Sequence, residues 1–297
     1  MMRNQASDRL QGGMLSRSFP SICQLACAVL LWLAVSTVQA REYLLAVVPQ
    51  LSPSATYRGW SPFAERVGRE AGITLRIRVY RTFDEFEADL ANGLPDLVYL
   101  NPYQEIRAHR TQGYIPLVRD GSYRLSGVLV VRQDSPLQSV RDLNGQTVGF
   151  PDANAFAASL YMRALLQEKE KIHFTSRYYT THGNVYRHVI VGDVAAGGGA
   201  NTTLAAERPE TRHELRVLYQ TPGIAPHPLS AHPRVPGRDR EAITAAILRI
   251  LKDADGARLL KAIQMPEPVR ADYARDYAPL EKWQLQKFIV STRPHSR

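Results

Sequence analysis

Ten residues carry the pattern with the most chemistry in it: Phe150-Pro151-Asp152-Ala153-Asn154-Ala155-Phe156-Ala157-Ala158-Ser159. An apolar run, Thr147 to Phe150, ends there, and small helix-favouring residues follow Asn154. The pattern predicts a tight loop between the carboxyl end of a strand and a helix. The first four amides of a helix have no partner within it and carry the positive end of its dipole. With only methyl groups at Ala155, Ala157 and Ala158, an anion can approach those amides, and Asn154 can add a donor. The alternative is that Asn154 is an ordinary N-cap and the alanines are helix formers. Both readings remain open on these residues alone.

Three further side chains stand at similar places. His182 follows a strand ending near Thr180 and begins a helix, so it can donate to an oxyanion, or act as a cap. Tyr99 and Asn101 end the buried run Leu97 to Leu100, ahead of Pro102, which opens the next helix. They can reach a cleft from a second body, or serve as core and N-cap respectively. Other chemistry is poorly supplied. His182, His227 and His232 lack the spacing of a metal site, so no metal is expected. Gly197-Gly198-Gly199 lacks the G-x-G-x-x-G spacing and is read as a tight turn near a cleft or hinge. No nucleophile, base and orienting group can be assembled, so the chain is not read as an enzyme and no cofactor is implied.

The elements that must hold these residues alternate short β-rich runs with amphipathic helices, the mark of an α/β fold with largely parallel sheets. Tyr43–Val48 and Ile73–Val79 read as strands. Between them Trp60, Phe63, Ala64, Val67, Gly68 and Ala71 form one helical stripe. Ser126–Arg132 is an apolar strand with no helix before it, as at a crossing between two bodies. A second βα series follows: a helix over about 154–169, a strand at Phe174–Thr180, a helix to Val191, a short strand at Val194–Ala196 and a strand at Leu215–Tyr219. The Pro-rich stretch 221–237 reads as a rigid connector. Helical pattern then runs to Ile289, with a frayed end at 291–297. The simplest assembly has two α/β lobes joined by a hinge. Lobe one is 41–126 plus 222–297, and lobe two is 127–221, leaving an interlobe cleft.

The first forty residues stand apart. Arg3, Arg9 and Arg17 precede an apolar run from Ile22 to Val35, and Val38-Gln39-Ala40 offers a cleavage site. That is the layout of a secretory signal peptide, so the mature chain is expected outside the cytoplasm. Cys23 and Cys27, the chain's 2 cysteines, lie inside this segment, so no disulfide is expected in the mature part. The formal charge is +9, and removing three Arg and one Asp with the leader leaves +7. Scattered basic charge favours anionic solutes; without Lys/Arg blocks it does not point to nucleic acid.

In this order, five segments resemble the substrate-binding component of phosphate, phosphite and phosphonate ABC uptake systems. They are Asp96-Leu97-Val98-Tyr99-Leu100-Asn101-Pro102, Val130-Val131-Arg132 with Asp134-Ser135-Pro136, Asp142-Leu143-Asn144-Gly145, the 150–159 loop and Thr181-His182-Gly183-Asn184. The resemblance implies a type II periplasmic binding protein fold, a monomer in the periplasm, a small anionic solute and an inner-membrane ABC permease as partner. A membrane sensor receiving the loaded protein is the alternative partner. The family's phosphonate loop carries a Ser-Thr-Ser series, replaced here by Asn154-Ala155-Phe156 or close neighbours, so backbone donors must serve. The family's histidine corresponds to His182. Members that bind aminoalkyl phosphonates use carboxylates where this chain has Asn201-Thr202-Thr203 and Pro226-His227-Pro228, which argues against a zwitterionic ligand. Phe156 offers a packing surface for the ligand's organic part. The candidate site is therefore Asn154, Ala155, Phe156, Ala157 and His182, faced by Tyr99 and Asn101.

Overall fold

The computed structural model describes residues 41–290. The signal-peptide expectation and the frayed end at 291–297 fall outside the described residues. Two mixed sheets carry the fold. The first has the strand order β11-β4-β10-β3-β1-β2, built from β1 (Arg41–Val47), β2 (Ile73–Arg78), β3 (Leu97–Tyr99), β4 (Ile115–Asp120), β10 (Pro228–Ala231) and β11 (Pro268–Arg270). The second has the order β7-β6-β8-β5-β9, from β5 (Gly127–Arg132), β6 (Thr147–Phe150), β7 (Thr175–Tyr178), β8 (Ala196–Ala200) and β9 (Leu215–Gln220).

Local chemistry explains the helices that flank the first sheet. Helix α1 (Pro53–Ala71) starts at Ser52, whose hydroxyl accepts from the Ala55 amide, has Pro53 in its first turn and stops at Gly72 in the left-handed conformation. Its buried face is Trp60, Phe63, Ala64, Val67 and Gly68, the stripe expected from the sequence. A side chain at Gly68 would meet the Ile73 carbonyl oxygen at 2.8 Å, so only glycine lets the helix turn back tightly onto β2. Helices α2 (Phe83–Ala91) and α3 (Pro102–Gln112) complete the βα series.

In the second sheet, residues 156–169 form one helix, α4, in three stretches: π-type turns over Phe156–Tyr161, α over Met162–Ala164 and π-type again over Leu165–Lys169. Helix α5 is His182–Ile190, capped by the Thr181 hydroxyl, which accepts from the Asn184 amide. The chain passes between the sheets twice, and the two passes pair with each other. Leu125 and Ile224 exchange backbone hydrogen bonds, both 2.9 Å, and the Thr221 amide donates to the Gly127 carbonyl at 2.9 Å.

Several expectations are corrected. The sheets are mixed, because β4, β5, β10 and β11 enter antiparallel pairs. The Pro-rich connector contains β10, a buried strand between β3 and β4. Its proline sits at the strand's first residue, where a missing amide is tolerated. The glycine run is no turn but lies inside strand β8. A side chain at Gly198 would stand 2.2 Å from the Ala158 carbonyl oxygen, and one at Gly199 2.1 Å from the Tyr186 hydroxyl. The run exists so that α4 and α5 can lie directly on the sheet. The last part of the chain is not regular helix. After α6 (Tyr273–Asp276) come 3₁₀ turns at Ala278–Trp283 and Leu285–Phe288.

Candidate functional site

In the second sheet, β6 runs parallel to both β7 and β8, with Phe150 beside Tyr178 and Gly149 beside Gly197. The chain therefore leaves the carboxyl ends of three neighbouring strands at one edge, where open α/β sheets bind ligands. Loop 151–155 and residues 179–181 belong to that edge, and they position the starts of α4 and α5.

The start of α4 has no side-chain cap. The Ala155 carbonyl accepts from both Ser159 (2.9 Å) and Leu160 (3.0 Å), which widens the first turn. The amides of Phe156, Ala157 and Ala158 make no hydrogen bond among the described residues. A helix end buried without partners is unusual. These three residues are buried: Phe156 and Ala157 are each 6% exposed, and Ala158 is 2% exposed.

Asn154 lies beside this start, but its side chain is engaged elsewhere. Its amide nitrogen donates to the Val290 carbonyl (2.9 Å) and its oxygen accepts from the Val290 amide (3.0 Å). Phe156 is packed in an apolar cluster with Tyr103, Ile106, Leu160, Tyr277 and Phe288, its ring stacked 6.0 Å from that of Tyr161.

His182 is the first residue of α5. Its Nδ1 is buried without a partner, and burial holds its pKa below the usual histidine range. The ring is thus neutral at pH 7, with one donor and one acceptor. Two residues earlier Thr180 has φ 69°, left-handed backbone that a β-branched residue seldom adopts. The strained loop sets the direction from which His182 enters.

The first sheet offers a different set at the carboxyl ends of β1 and β3 and the start of β10. Tyr99 ends β3 and is 4% exposed. Its ring lies 4.8 Å from Trp60 and is stacked 5.5 Å from His227. Gln50 Nε2 donates to His227 Nε2 at 3.0 Å, which leaves the proton of the neutral imidazole on Nδ1. Burial lowers the His227 pKa to about 4, so this imidazole is also neutral. Asn101 makes a capping box: its oxygen accepts from the amides of Tyr103 (3.0 Å) and Gln104 (2.9 Å), while Gln104 Oε1 accepts from the Asn101 amide (3.0 Å).

The structure thus gathers 154–157 and His182 at one sheet edge and Tyr99 and Asn101 at an edge of the other. The sequence gives no signal for Gln50, and His227 enters there as a metal-ligand candidate and, through the resemblance, as part of Pro226-His227-Pro228 near the ligand, without a role of its own. The signal that could have found His227 was a short strand beginning at Pro228. A cavity of about 40 Å³ lies beneath Tyr99, lined by Val47, Trp60 and Ile263 among others. A larger one of about 280 Å³ lies away from it, between Pro116, Arg240, Thr244 and Arg270. Neither includes a residue of 150–159.

Two α/β sheets, paired crossings and helix starts at the sheet edges define the class: a periplasmic binding protein of two α/β lobes. Similar solved structures share the fold. The XAC2383 protein of Xanthomonas citri, bound to ATP, superposes with a TM-score of 0.73 at 16% identity, covering 84% of this chain and 100% of that one. PhnD1 of Prochlorococcus marinus in complex with methylphosphonate gives 0.68 at 15% identity, covering 84% and 99%. A binding component of a phosphonate ABC transporter from Pseudomonas aeruginosa gives 0.66 at 13% identity, covering 84% and 88%. No curated protein matches the sequence. The periplasmic substrate-binding protein family of phosphonate ABC transporters matches residues 45–277, and the chain belongs to that family.

Proposed function

We propose that this protein captures a small oxyanion of the phosphonate, phosphite or phosphate kind and delivers it to an inner-membrane ABC permease, without catalysing a reaction. The lobes are taken as 41–126 with 222–297, and 127–221, with the solute held between them. The observation that carries the reading is the uncapped start of α4, three amides without partners among the described residues, at the same sheet edge as His182. In this reading the amides of Phe156, Ala157 and Ala158 hold the anion and neutral His182 donates one hydrogen bond to it. The stacked pair Tyr99–His227, with Gln50 and the Asn101 amide nitrogen, closes from the other lobe.

The ligand carries no ammonium group in this reading. Asn201 is committed to the Ser126 amide and the Arg124 carbonyl, and Thr203 to Tyr186 and Ala200. Neither Asn201-Thr202-Thr203 nor Pro226-His227-Pro228 brings a carboxylate of its own to meet a buried cation. Closure follows from contacts that exist only when both lobes touch the solute.

Thermal unfolding in the presence of phosphate, phosphite, methylphosphonate, 2-aminoethylphosphonate, sulfate and acetate tests this. Concentration-dependent stabilisation by a phosphorus oxyanion, and none by the aminophosphonate, is expected. Stabilisation by none of the phosphorus oxyanions contradicts the reading.

A further inference from the structure

The interior of α4 holds a charge that the fold alone does not explain. Arg163 is 6% exposed. Its side chain runs back along the helix toward the start, as long side chains on helices do. There Nε donates to the Ser159 hydroxyl (3.2 Å), and Nη2 donates to the carbonyls of Ala153 (2.6 Å) and Phe288 (2.8 Å). The Ser159 hydroxyl donates to the same Ala153 carbonyl at 3.0 Å. These partners satisfy donors but carry no charge, and Arg163 makes no ion pair among the described residues. Asp152 acts on it only at longer range; that carboxylate is exposed and accepts from the Asn154 amide at 2.8 Å.

A guanidinium stays protonated in a protein. Burying one without a counter-ion is unfavourable, and placing it toward the positive end of a helix is more so. Burial accordingly lowers its pKa. A positive helix end and a buried cation converge on one loop, and an anion there relieves both.

We infer that Arg163 is a positioning residue of the anion site. Its fork fixes the Ala153 carbonyl, and so the loop that aims the amides of Phe156, Ala157 and Ala158, while its unneutralised charge favours the more highly charged form of the ligand. Through the Phe288 carbonyl, and beside the Asn154–Val290 pair, the same fork ties the final turns of the chain to that loop. The inference rests on the anion-capture reading above.

Two variants separate charge from geometry. Arg163→Gln keeps an amide donor and loses the charge; Arg163→Lys keeps the charge and loses the fork. Calorimetric titration with inorganic phosphate, below and above its second ionisation, reads the difference. The wild type is expected to bind the dianion more tightly. In R163Q the dianion is expected to weaken about tenfold more than the monoanion, flattening the pH profile. In R163K the profile is kept while affinity falls about threefold at every pH, since one ammonium cannot reproduce the separate Nε bond to Ser159 together with the Nη2 bonds to both carbonyls. A merely structural role moves unfolding midpoints but not the dianion preference. A folded R163Q with wild-type affinity and profile overturns the inference. Should R163Q not fold, R163K with wild-type affinity overturns it equally. If the wild type binds phosphate and both variants match it, only Arg163's role fails. If the wild type binds neither phosphate nor methylphosphonate, the capture reading fails and takes this inference with it.

Discussion

Helices α3 and α4 both leave the carboxyl end of a buried strand, yet their starts are finished in opposite ways. At α3, Asn101 and Gln104 exchange two hydrogen bonds and the Asn101 side-chain oxygen accepts a third from the Tyr103 amide, so the first turn is satisfied internally. One turn further in, Glu105 is fully buried, with Ser230 donating to its Oε2 at 2.7 Å, and burial pushes its pKa up to about 8. That first turn resolves its buried acid by keeping it protonated. At α4 no described residue caps the amides, and the buried group reaching the start is Arg163, which cannot neutralise itself. The same strand-to-helix joint is therefore sealed at α3 and, among the described residues, left open at α4, where we place the anion.

The largest expected effect comes from sealing the second start as the first is sealed. Ala155→Asp places a carboxylate at the cap position of α4, where it accepts from the free amides. Helix stability should rise by about 1 kcal/mol, while phosphorus oxyanion binding should fall by about a hundredfold through occupied donors and like charge. Unfolding midpoints and titration calorimetry read the two opposite signs together. Next, His182→Ala should weaken the ligand by about tenfold, the loss of one hydrogen bond to a charged group, with an unchanged midpoint. The converse change at α3 should separate the two starts further. Asn101→Ala should destabilise the protein by about 1 kcal/mol in denaturant titration, with affinity falling by no more than the about tenfold that one lost hydrogen bond brings.

The remaining effects concern pH. Between the ordinary glutamate value of 4.5 and about 8, the folded protein keeps a proton on Glu105 that the unfolded chain has released. Stability from this group is therefore full below 4.5 and declines as pH rises through that window. Glu105→Gln should remove the decline. His227 has the opposite sign: its pKa falls from 6.5 to about 4, so the unfolded chain binds a proton first and stability is lost as pH falls through that window. His227→Gln should flatten the acid side. Urea midpoints from pH 4 to 9 for the three proteins check both slopes.

Much of this comparison was legible in the sequence, for reasons that also mark where legibility stopped. Phe150 to Ser159 reads as strand, loop and small-residue helix because each step is local, and α1 shows its buried stripe by spacing alone. The strand β10 was hidden by its prolines, since its pairing with β3 and β4 depends on residues more than a hundred positions away. Glycines 197–199 suggested flexibility, whereas their role is set by helices packed on both faces of β8. Asn154 reads as a ligand donor or a cap, and among the described residues its side chain pairs with Val290. Its partner Val290 comes from the far end of the chain, a contact that no local pattern encodes.

The central claim, that the open start of α4 receives the anion, is tested most directly by titrating wild type and Ala155→Asp with inorganic phosphate and methylphosphonate in parallel. The account predicts saturable one-to-one binding of at least one of these by the wild type, and its loss in a variant that unfolds at the same or a higher temperature. Equal affinity in both proteins, or no binding by the wild type, contradicts it.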